Sequence, residues 1–256
     1  MSDNGNPDAT WDLITGDCRV TMSGRGRFDM IIADPPYGDT SLGWDNRVSG
    51  WEAEAATCLK PTGSIWLFGS MRFLMATWGG MEAAGFRYAQ DIVWEKHNGS
   101  AFHADRFKRV HEHVVQWYLN DANWGDVYND VQVTADAQAR TVRRKRRPAH
   151  LGHIEGSSYT SKDGGPRLMR SVIYMPSCHG EAIHPTEKPV GLLQILIRTS
   201  CPTYGVVGDF FAGSGAVGEA CSHAGRSYVG TEIDGAMADR ARSRLSGNLF
   251  ARAAAP

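Results

Sequence analysis

Met30-Ile31-Ile32-Ala33 is an unbroken apolar run that stops at Asp34-Pro35-Pro36-Tyr37-Gly38. A run of this kind, bounded by turn formers, reads as a strand covered on both faces, as strands of a parallel sheet are. The two prolines then dictate how the chain leaves the sheet. Each fixes φ at about −65°, lacks an N–H and biases the residue before it toward extended geometry. Asp34 and Pro35 are thereby held stiff and extended at the carboxyl end of a strand, where open α/β sheets carry their ligands. Within four residues the turn offers a carboxylate, free backbone carbonyls and an aromatic face. That set suits a flat substrate bearing an amino group: oxygens accept its N–H bonds and the ring stacks on its plane. A plain strand-ending turn with an N-capping aspartate accounts for the same four residues, so the stretch needs support from elsewhere in the chain.

The remaining segments supply a sheet around it. Residues 11–16, 28–33, 64–68, 88–95, 111–119, 171–175, 205–211 and 227–231 read as strands. Residues 52–59, 72–84, 189–199, 213–224 and 234–246 read as helices, with Pro189 as a first helical residue and Asp234 as a cap. Lys60-Pro61-Thr62-Gly63 reads as a turn. This alternation predicts an α/β fold with a doubly wound, mostly parallel sheet. Gly38 to Gly50 is rich in glycine and aspartate, and its place beside the proline turn makes it a candidate lid.

From 120 to 170 the apolar periodicity lapses, which predicts an insertion into a domain formed by 11–119 and 171–246. Six of the eight residues from Arg140 to Arg147 are basic: Arg140, Arg143, Arg144, Lys145, Arg146 and Arg147. Such a run reads either as a solvated, partly mobile face or as a phosphate-contacting segment, and composition does not choose between them. The net charge of the chain is −1, so a polyanion would have to be met by a local patch of this sort.

Other classes are disfavoured. The five cysteines, Cys18, Cys58, Cys178, Cys201 and Cys221, are an odd number without C-x-x-C spacing, which points to a reducing, cytoplasmic setting without disulfides or zinc. Cys178, His179 and His184 lack paired-ligand spacing, and no metal is expected. No apolar stretch approaches the roughly 20 residues of a membrane helix. Met1 to Thr10 lacks the apolar centre of a signal peptide and reads as a frayed tail, as does the segment after Gly247.

The support for the proline turn comes from residues 213–218, Gly-Ser-Gly-Ala-Val-Gly, which follow G-x-G-x-x-G between a strand and a helix. Glu232 lies 19 residues past Gly213, at the end of the next strand. In a βαβ unit glycines let the backbone approach a nucleotide and the acid accepts both ribose hydroxyls. A tight strand–helix turn is the bland alternative. Two ligands fit this geometry, a dinucleotide such as NAD and S-adenosylmethionine. A nicotinamide enzyme needs a hydride-transfer site, and nothing here has its usual acid/base pair. A methyl donor needs a nucleophile presented to a sulfonium, which the proline turn suits.

Asp209-Phe210-Phe211-Ala212-Gly213-Ser214-Gly215 looks like the cofactor motif of the amino-directed DNA methyltransferases, and Asp34-Pro35-Pro36-Tyr37 resembles their catalytic motif. The order, catalytic motif first, resembles their β class. Gly16-Asp17-Cys18, Leu59-Lys60-Pro61-Thr62-Gly63-Ser64, His184-Pro185-Thr186-Glu187-Lys188-Pro189 and Ser227 to Asp234 also look like class motifs. Phe210 departs from the pattern, which commonly has proline there.

The resemblance implies a seven-stranded, mostly parallel sheet of the S-adenosylmethionine-dependent methyltransferase type. It implies methyl transfer to an exocyclic amine of double-stranded DNA by base flipping, leaving S-adenosylhomocysteine. Aspartate at the head of the catalytic motif favours adenine N6 over cytosine N4. Asp34, Pro35, Pro36 and Tyr37 are then catalytic. The expected cofactor residues are Asp17 and Cys18 at the adenine, Asp34, Thr186 and Lys188, the last two near the methionine carboxylate, Asp209 at its amino group, Phe211, Ala212, Gly213, Ser214 and Gly215 along the methionine part, and Glu232 at the ribose. For Thr186 and Lys188 plain turn structure is the alternative. The insertion becomes a target-recognition region whose Arg143, Arg144, Lys145, Arg146 and Arg147 grip phosphates, with Lys108 and Arg109 as lesser partners. Members of the class are often dimers, so a homodimer is expected. The competing readings are an NAD-dependent oxidoreductase, a non-catalytic DNA-binding module, and transfer to cytosine or RNA.

Overall fold

The computed structural model describes residues 9–100, 104–144, 146, 150, 155–178 and 186–248, apart from the side chains of Ser100, Arg144 and Asn248. The chain divides into two compact units, one of Met1–Asp130 with Ser171–Pro256, the other Val131–Arg170.

The first unit is built on one sheet. Its strands are β1 (Trp11–Thr15), β2 (Phe28–Ala33), β3 (Leu59–Gly69), β4 (Phe86–Ser100), β5 (Arg109–Leu119), β10 (Val172–Tyr174), β11 (Val206–Asp209) and β12 (Ser227–Glu232). They lie in the order β1-β12-β11-β2-β3-β5-β4-β10. All neighbours are parallel except β3 with β5 and β4 with β5, so β5 alone runs against the rest. The sheet has eight strands rather than the expected seven. The eighth is β10, a three-residue edge strand that extends β4; Val93 donates to Ser171 O at 2.7 Å and Met175 to Glu95 O at 2.9 Å.

The helices are α1 (Cys18–Thr21), α2 (Trp51–Cys58), α3 (Met71–Ala83), α4 (Val190–Ser200), α5 (Ala216–Ala224) and α6 (Gly235–Asn248). Ser70 caps α3 by accepting from Phe73 N, and Asp234 caps α6 by accepting from Met237 N at 2.9 Å. Pro189 stands at the cap of α4 rather than as its first residue, with ψ at 129°. The apolar face of α4, with Leu192, Leu193, Leu196 and Ile197, is buried.

The Lys60–Gly63 stretch is strand, not turn. The register jumps from Phe28↔Leu59 to Met30↔Ser64, so these residues form a bulge in β3. Gly63 is required there, because a Cβ would lie 2.7 Å from Asp29 O. Lys60 turns back to Asp29 at 2.8 Å, and Asp29 also accepts from Val206 N at 2.9 Å, which ties β2 to β11 at their starts.

The sheet centre is apolar on both faces: Met30, Ile31, Ile32, Ala33, Ile65 and Leu67 are all buried. It carries one polar knot. Gln116 accepts from Gln90 at 2.7 Å and donates to Ser64 at 2.9 Å, to Asn129 at 3.0 Å and to Ser200 at 3.1 Å, while Trp66 donates to Ser200 at 2.8 Å. Every member is satisfied, which is what lets a buried amide be tolerated.

The second unit begins at Val131. Residues 120–130, expected in the insertion, fold with the first: Tyr128 donates to Thr62 O at 2.9 Å and Asp130 to Thr199 O at 2.7 Å. Within it β7 (Arg140–Arg144) pairs with β8 (Ser157–Ser161), and β6 (Val133–Thr134) with β9 (Arg167–Leu168), all antiparallel. Part of the basic run, read as either a solvated, partly mobile face or a phosphate-contacting segment, is thus a strand. Lys145 and Arg147, like His179, His184, residues 1–8 and residues 249–256, lie outside the described residues, as does the Arg144 side chain. Thr10, read as part of a frayed tail, accepts from Tyr228 N at 2.9 Å.

Candidate active site

Strand β2 and strand β11 are hydrogen-bonded neighbours running the same way, with Ile32 opposite Asp209. Phe210 N donates to Ile32 O at 3.3 Å. The turns that follow, one from Asp34 and one from Phe210, therefore leave the same edge of the sheet side by side. Both line one cavity of about 640 Å³, together with Gly16, Asp17, Cys18, Thr186, Lys188 and Glu232.

On the β2 side four charged groups and a phenol interlock. Lys188 Nζ lies 2.6 Å from Asp34 Oδ2 and 3.6 Å from Glu112 Oε2, and donates to Thr186 O at 3.3 Å. Tyr37 donates its hydroxyl to Asp34 Oδ1 at 2.7 Å and lies 3.4 Å from Glu112 Oε2. Lys96, from β4, pairs with Glu112 Oε1. Lys188 is 6% exposed, an uncommon site for an ammonium unless paired. Burial opposes its charge, but the Asp34 and Glu112 carboxylates hold its pKa above the usual lysine value. Burial also pushes Glu112 upward, and the Lys188 and Lys96 ammoniums outweigh it, leaving Glu112 at about 2. Burial, then the Asp34 and Glu112 charges, raise the Tyr37 phenol well beyond its ordinary range. The Tyr37 ring stacks on Phe73, centroids 5.2 Å apart.

Glu112 and Lys96 were not anticipated. Glu112 lies on a strand read from sequence and Lys96 one residue beyond the strand read as 88–95, and the antiparallel pairing of β4 and β5, Glu112 opposite Trp94, brings them here. Lys188, expected near the methionine carboxylate, pairs with Asp34. Lys108 and Arg109 lie before and at the start of β5, and Arg109 lines the cavity 3.6 Å from Asp39.

On the β11 side Glu232 accepts from Gly213 N at 2.8 Å through one oxygen and from Asp234 N at 2.9 Å through the other. Each oxygen keeps a second lone pair for a ligand. Gly213 has φ at +50°, and a Cβ built there would meet nothing within 4 Å, so backbone is open to the cavity. Gly215 has φ at +78° and caps α5; a Cβ there would lie 3.1 Å from Ala241. Ala212 N donates to Thr231 O at 2.9 Å, and Ser214 is buried. Asp209 is buried and accepts from Phe211 N at 3.2 Å and the Tyr228 hydroxyl at 3.1 Å. Burial, opposed by those two bonds and aided by the Asp34 and Glu232 charges, pushes its carboxyl up to about 7. Asp17 caps α1 and pairs with Arg19, which lowers its pKa. Burial raises the Cys18 thiol to about 12, so it lines the wall as an inert group.

The loop 38–50 folds over one side of this cavity. Asp45 is its anchor, accepting from Gly38 N at 2.8 Å, Asp39 N at 3.0 Å, Thr40 N at 2.7 Å and the Thr40 hydroxyl at 2.7 Å.

Among the described residues no group of three or more His, Cys, Asp or Glu is placed to hold a metal, and no helix is long and apolar enough to cross a membrane. Parallel neighbouring strands of an α/β sheet thus deliver a glycine turn with its acid and a proline turn to one cavity, the arrangement of a methyltransferase-type fold. The profile of the N6/N4 methyltransferases, described as DNA methylase, matches residues 28–242, and the chain belongs to that family. It is 25% identical over 273 residues to the type II methyltransferase M.HinfI of Haemophilus influenzae, covering 96% of this chain and 70% of that protein. Solved structures share the fold. The M1.HpyAVI–SAM complex has a TM-score of 0.64 at 22% identity, over 93% of this chain and 100% of that one. A DNA modification methylase of Thermus thermophilus, complexed with S-adenosyl-L-methionine, has 0.60 at 20%, over 95% and 94%. The cytosine-N4-specific PvuII DNA methyltransferase has 0.61 at 12%, over 98% and 93%.

Proposed function

We propose that this DNA methylase transfers a methyl group from S-adenosylmethionine to the N6 amine of adenine in double-stranded DNA, and that it belongs to the β class, a soluble cytoplasmic enzyme acting as a homodimer. The observation that carries the reading is the pair of neighbouring turns. Asp34 to Tyr37 and Phe211 to Ser214 share one cavity and leave adjacent strands.

The residues fit the cofactor. Glu232, with a lone pair left on each oxygen, takes the ribose hydroxyls. The open backbone at Gly213, with Phe211, Ala212, Ser214 and Gly215, lies along the methionine part. Asp209 accepts from its amino group, and Gly16, Asp17 and Cys18 border the adenine. When bound, S-adenosylmethionine supplies an electrophilic sulfonium methyl.

The amine is a weak nucleophile because its lone pair is delocalised into the base. The Asp34 carboxylate and the Pro35 carbonyl accept its two N–H bonds and turn the nitrogen toward tetrahedral geometry. Acceptors fixed in advance where positive charge develops are worth about 3 kcal/mol each. The lone pair so exposed would take up the methyl that a bound donor supplies, the donor sulfur keeping the electron pair of the bond it gives up. The extra proton passes from nitrogen to Asp34 and on to water. Tyr37, braced by Phe73 and Asp34, stacks on the base. Pro35 and Pro36 keep the turn from relaxing. Lys188 pairs with Asp34 and fixes where its carboxylate stands, with the Thr186 carbonyl as its backbone anchor.

The base must leave the duplex to reach this cavity, at a cost of a few kcal/mol. Phosphate contacts offset it, and the second unit, with Arg143, Arg144, Lys145, Arg146 and Arg147, is assigned to them and to target recognition. Incubation of the purified chain with tritiated S-adenosylmethionine and unmethylated plasmid DNA, then digestion to nucleosides, tests the reading. N6-methyladenosine is expected; N4-methylcytosine would move the substrate to cytosine, and no incorporation would refute DNA methylation.

A further inference from the structure

Glu112 is a carboxylate that the amine chemistry above does not use. It nevertheless sits at the centre of the charged cluster. Its Oε2 lies 3.6 Å from Lys188 Nζ and 3.4 Å from the Tyr37 hydroxyl, and its Oε1 pairs with Lys96. Asp34 meets the same two partners from the other side, at 2.6 Å and 2.7 Å. One ammonium and one phenol are thus shared between two carboxylates, and a second ammonium closes the chain at its outer end. The formal charges of Asp34, Lys188, Glu112 and Lys96 sum to zero.

We propose that Glu112 is a positioning residue for methyl transfer: by sharing Lys188 with Asp34, it keeps the Asp34 carboxylate a strong acceptor for the target amine. The proposal rests on the amine-methyltransferase reading and deepens it. A carboxylate facing a whole positive charge is a weaker acceptor, and binds a proton less readily, than one facing a shared charge. Glu112 also lines the cavity, and Lys188 and Tyr37 bridge it to Asp34. The two ammoniums outweigh burial and leave Glu112 itself ionised.

Among the described residues, the groups facing Asp34 are few. They are Lys188 and the Thr186 carbonyl ahead of α4, Tyr37 in its own turn, Glu112 on β5, and Asp209 on β11, whose carboxyl feels the Asp34 charge. Lys96 on β4 acts only through Glu112. Asp39 and Arg109 also line the cavity and pair with each other at 3.6 Å.

This arrangement gives two substitutions opposite effects on one observable. In Glu112→Gln the Lys188 charge bears on Asp34 alone. The acid limb of the kcat profile should move to lower pH and the plateau kcat should fall about tenfold or more, with KM for plasmid DNA and for S-adenosylmethionine within about threefold. In Lys96→Gln, Glu112 is released from its outer partner and bears harder on Lys188. The acid limb should move to higher pH. Glu112→Asp should recover part of the lost kcat.

The measurements are tritiated methyl transfer to plasmid DNA from pH 4.5 to 8, with melting temperature and S-adenosylmethionine calorimetry on each variant. Opposite shifts establish the proposal. Shifts in the same direction, no shift in either variant, or a loss confined to KM overturn it. If Glu112→Gln does not fold, Lys96→Gln decides alone: an upward shift supports the role and an unmoved limb ends it. Failure of the unaltered protein to methylate DNA would instead refute the underlying reading.

Discussion

Glu232 holds the backbone N–H of Gly213 at 2.8 Å, a bond from the end of β12 to the glycine turn beyond β11. The acid proposed to bind ribose is therefore also a brace for the glycine loop. Glu232→Ala should lose both. Calorimetry should show S-adenosylmethionine binding weakened by about tenfold or more, and stability should fall by about 1–3 kcal/mol from the donors left unpaired. Undiminished binding would remove Glu232 from the site.

Asp34→Ala removes an acceptor without touching the glycine turn. Methyl incorporation into DNA should fall by at least about a hundredfold while calorimetric binding of S-adenosylmethionine survives. Transfer at near the unaltered rate would show that Asp34 is not the acceptor.

Asp209 makes stability depend on pH near neutrality. Its folded carboxyl sits at about 7, against an unfolded value of about 3.9. Between these values the folded state holds the extra proton, so stability is fully present below the lower value. It falls as pH rises toward 7, with a slope of up to about 1.4 kcal/mol per pH unit. Denaturant unfolding at pH 5, 6 and 7 should show this decline, and Asp209→Asn should flatten it. A variant with the same slope would mean that Asp209 does not titrate there.

Asp45 works in the opposite sense. Burial disfavours its charge, but the Thr40 hydroxyl and the backbone N–H groups of Gly38, Asp39 and Thr40 prevail and lower its pKa. Its contribution is present above the unfolded value and is lost as pH falls through the folded one. Asp45→Ala should free the 38–50 loop, seen as faster proteolytic cleavage within those residues. Cleavage at the unaltered rate would deny Asp45 that anchoring role.

In the second unit, Arg143 on β7 and Arg146 are exposed, the latter 4.0 Å from Glu155. If they meet phosphates, replacing both with Gln should flatten the slope of log affinity against log salt by about two. An unchanged slope would return them to solvated surface.

The sequence carried the two turns because each is written locally. Two prolines after an apolar run, and glycines between a strand and a helix, restrict φ and ψ wherever they occur. It also carried strand β2, where four apolar residues in a row admit little else. The Lys60–Gly63 bulge was misread as a turn, since proline and glycine mark both; what separates them is Asp29 O pressing on Gly63 from β2. Glu112 and Lys96 were hidden for a related reason. Charged residues on a strand read as its solvent face, and only the run of β5 against β4 turns these two inward. The pairing of Lys188 with Asp34 and Glu112 was not legible either, because a side chain's partner far away in the chain leaves no trace in local spacing.

The adjacency of β2 and β11 has a further consequence. The two turns spring from ribs of a single sheet, so their roots are held one inter-strand repeat of about 4.8 Å apart. Substitutions within either turn can reshape what it presents, but the spacing of the roots belongs to the backbone ladder and will stay as it is.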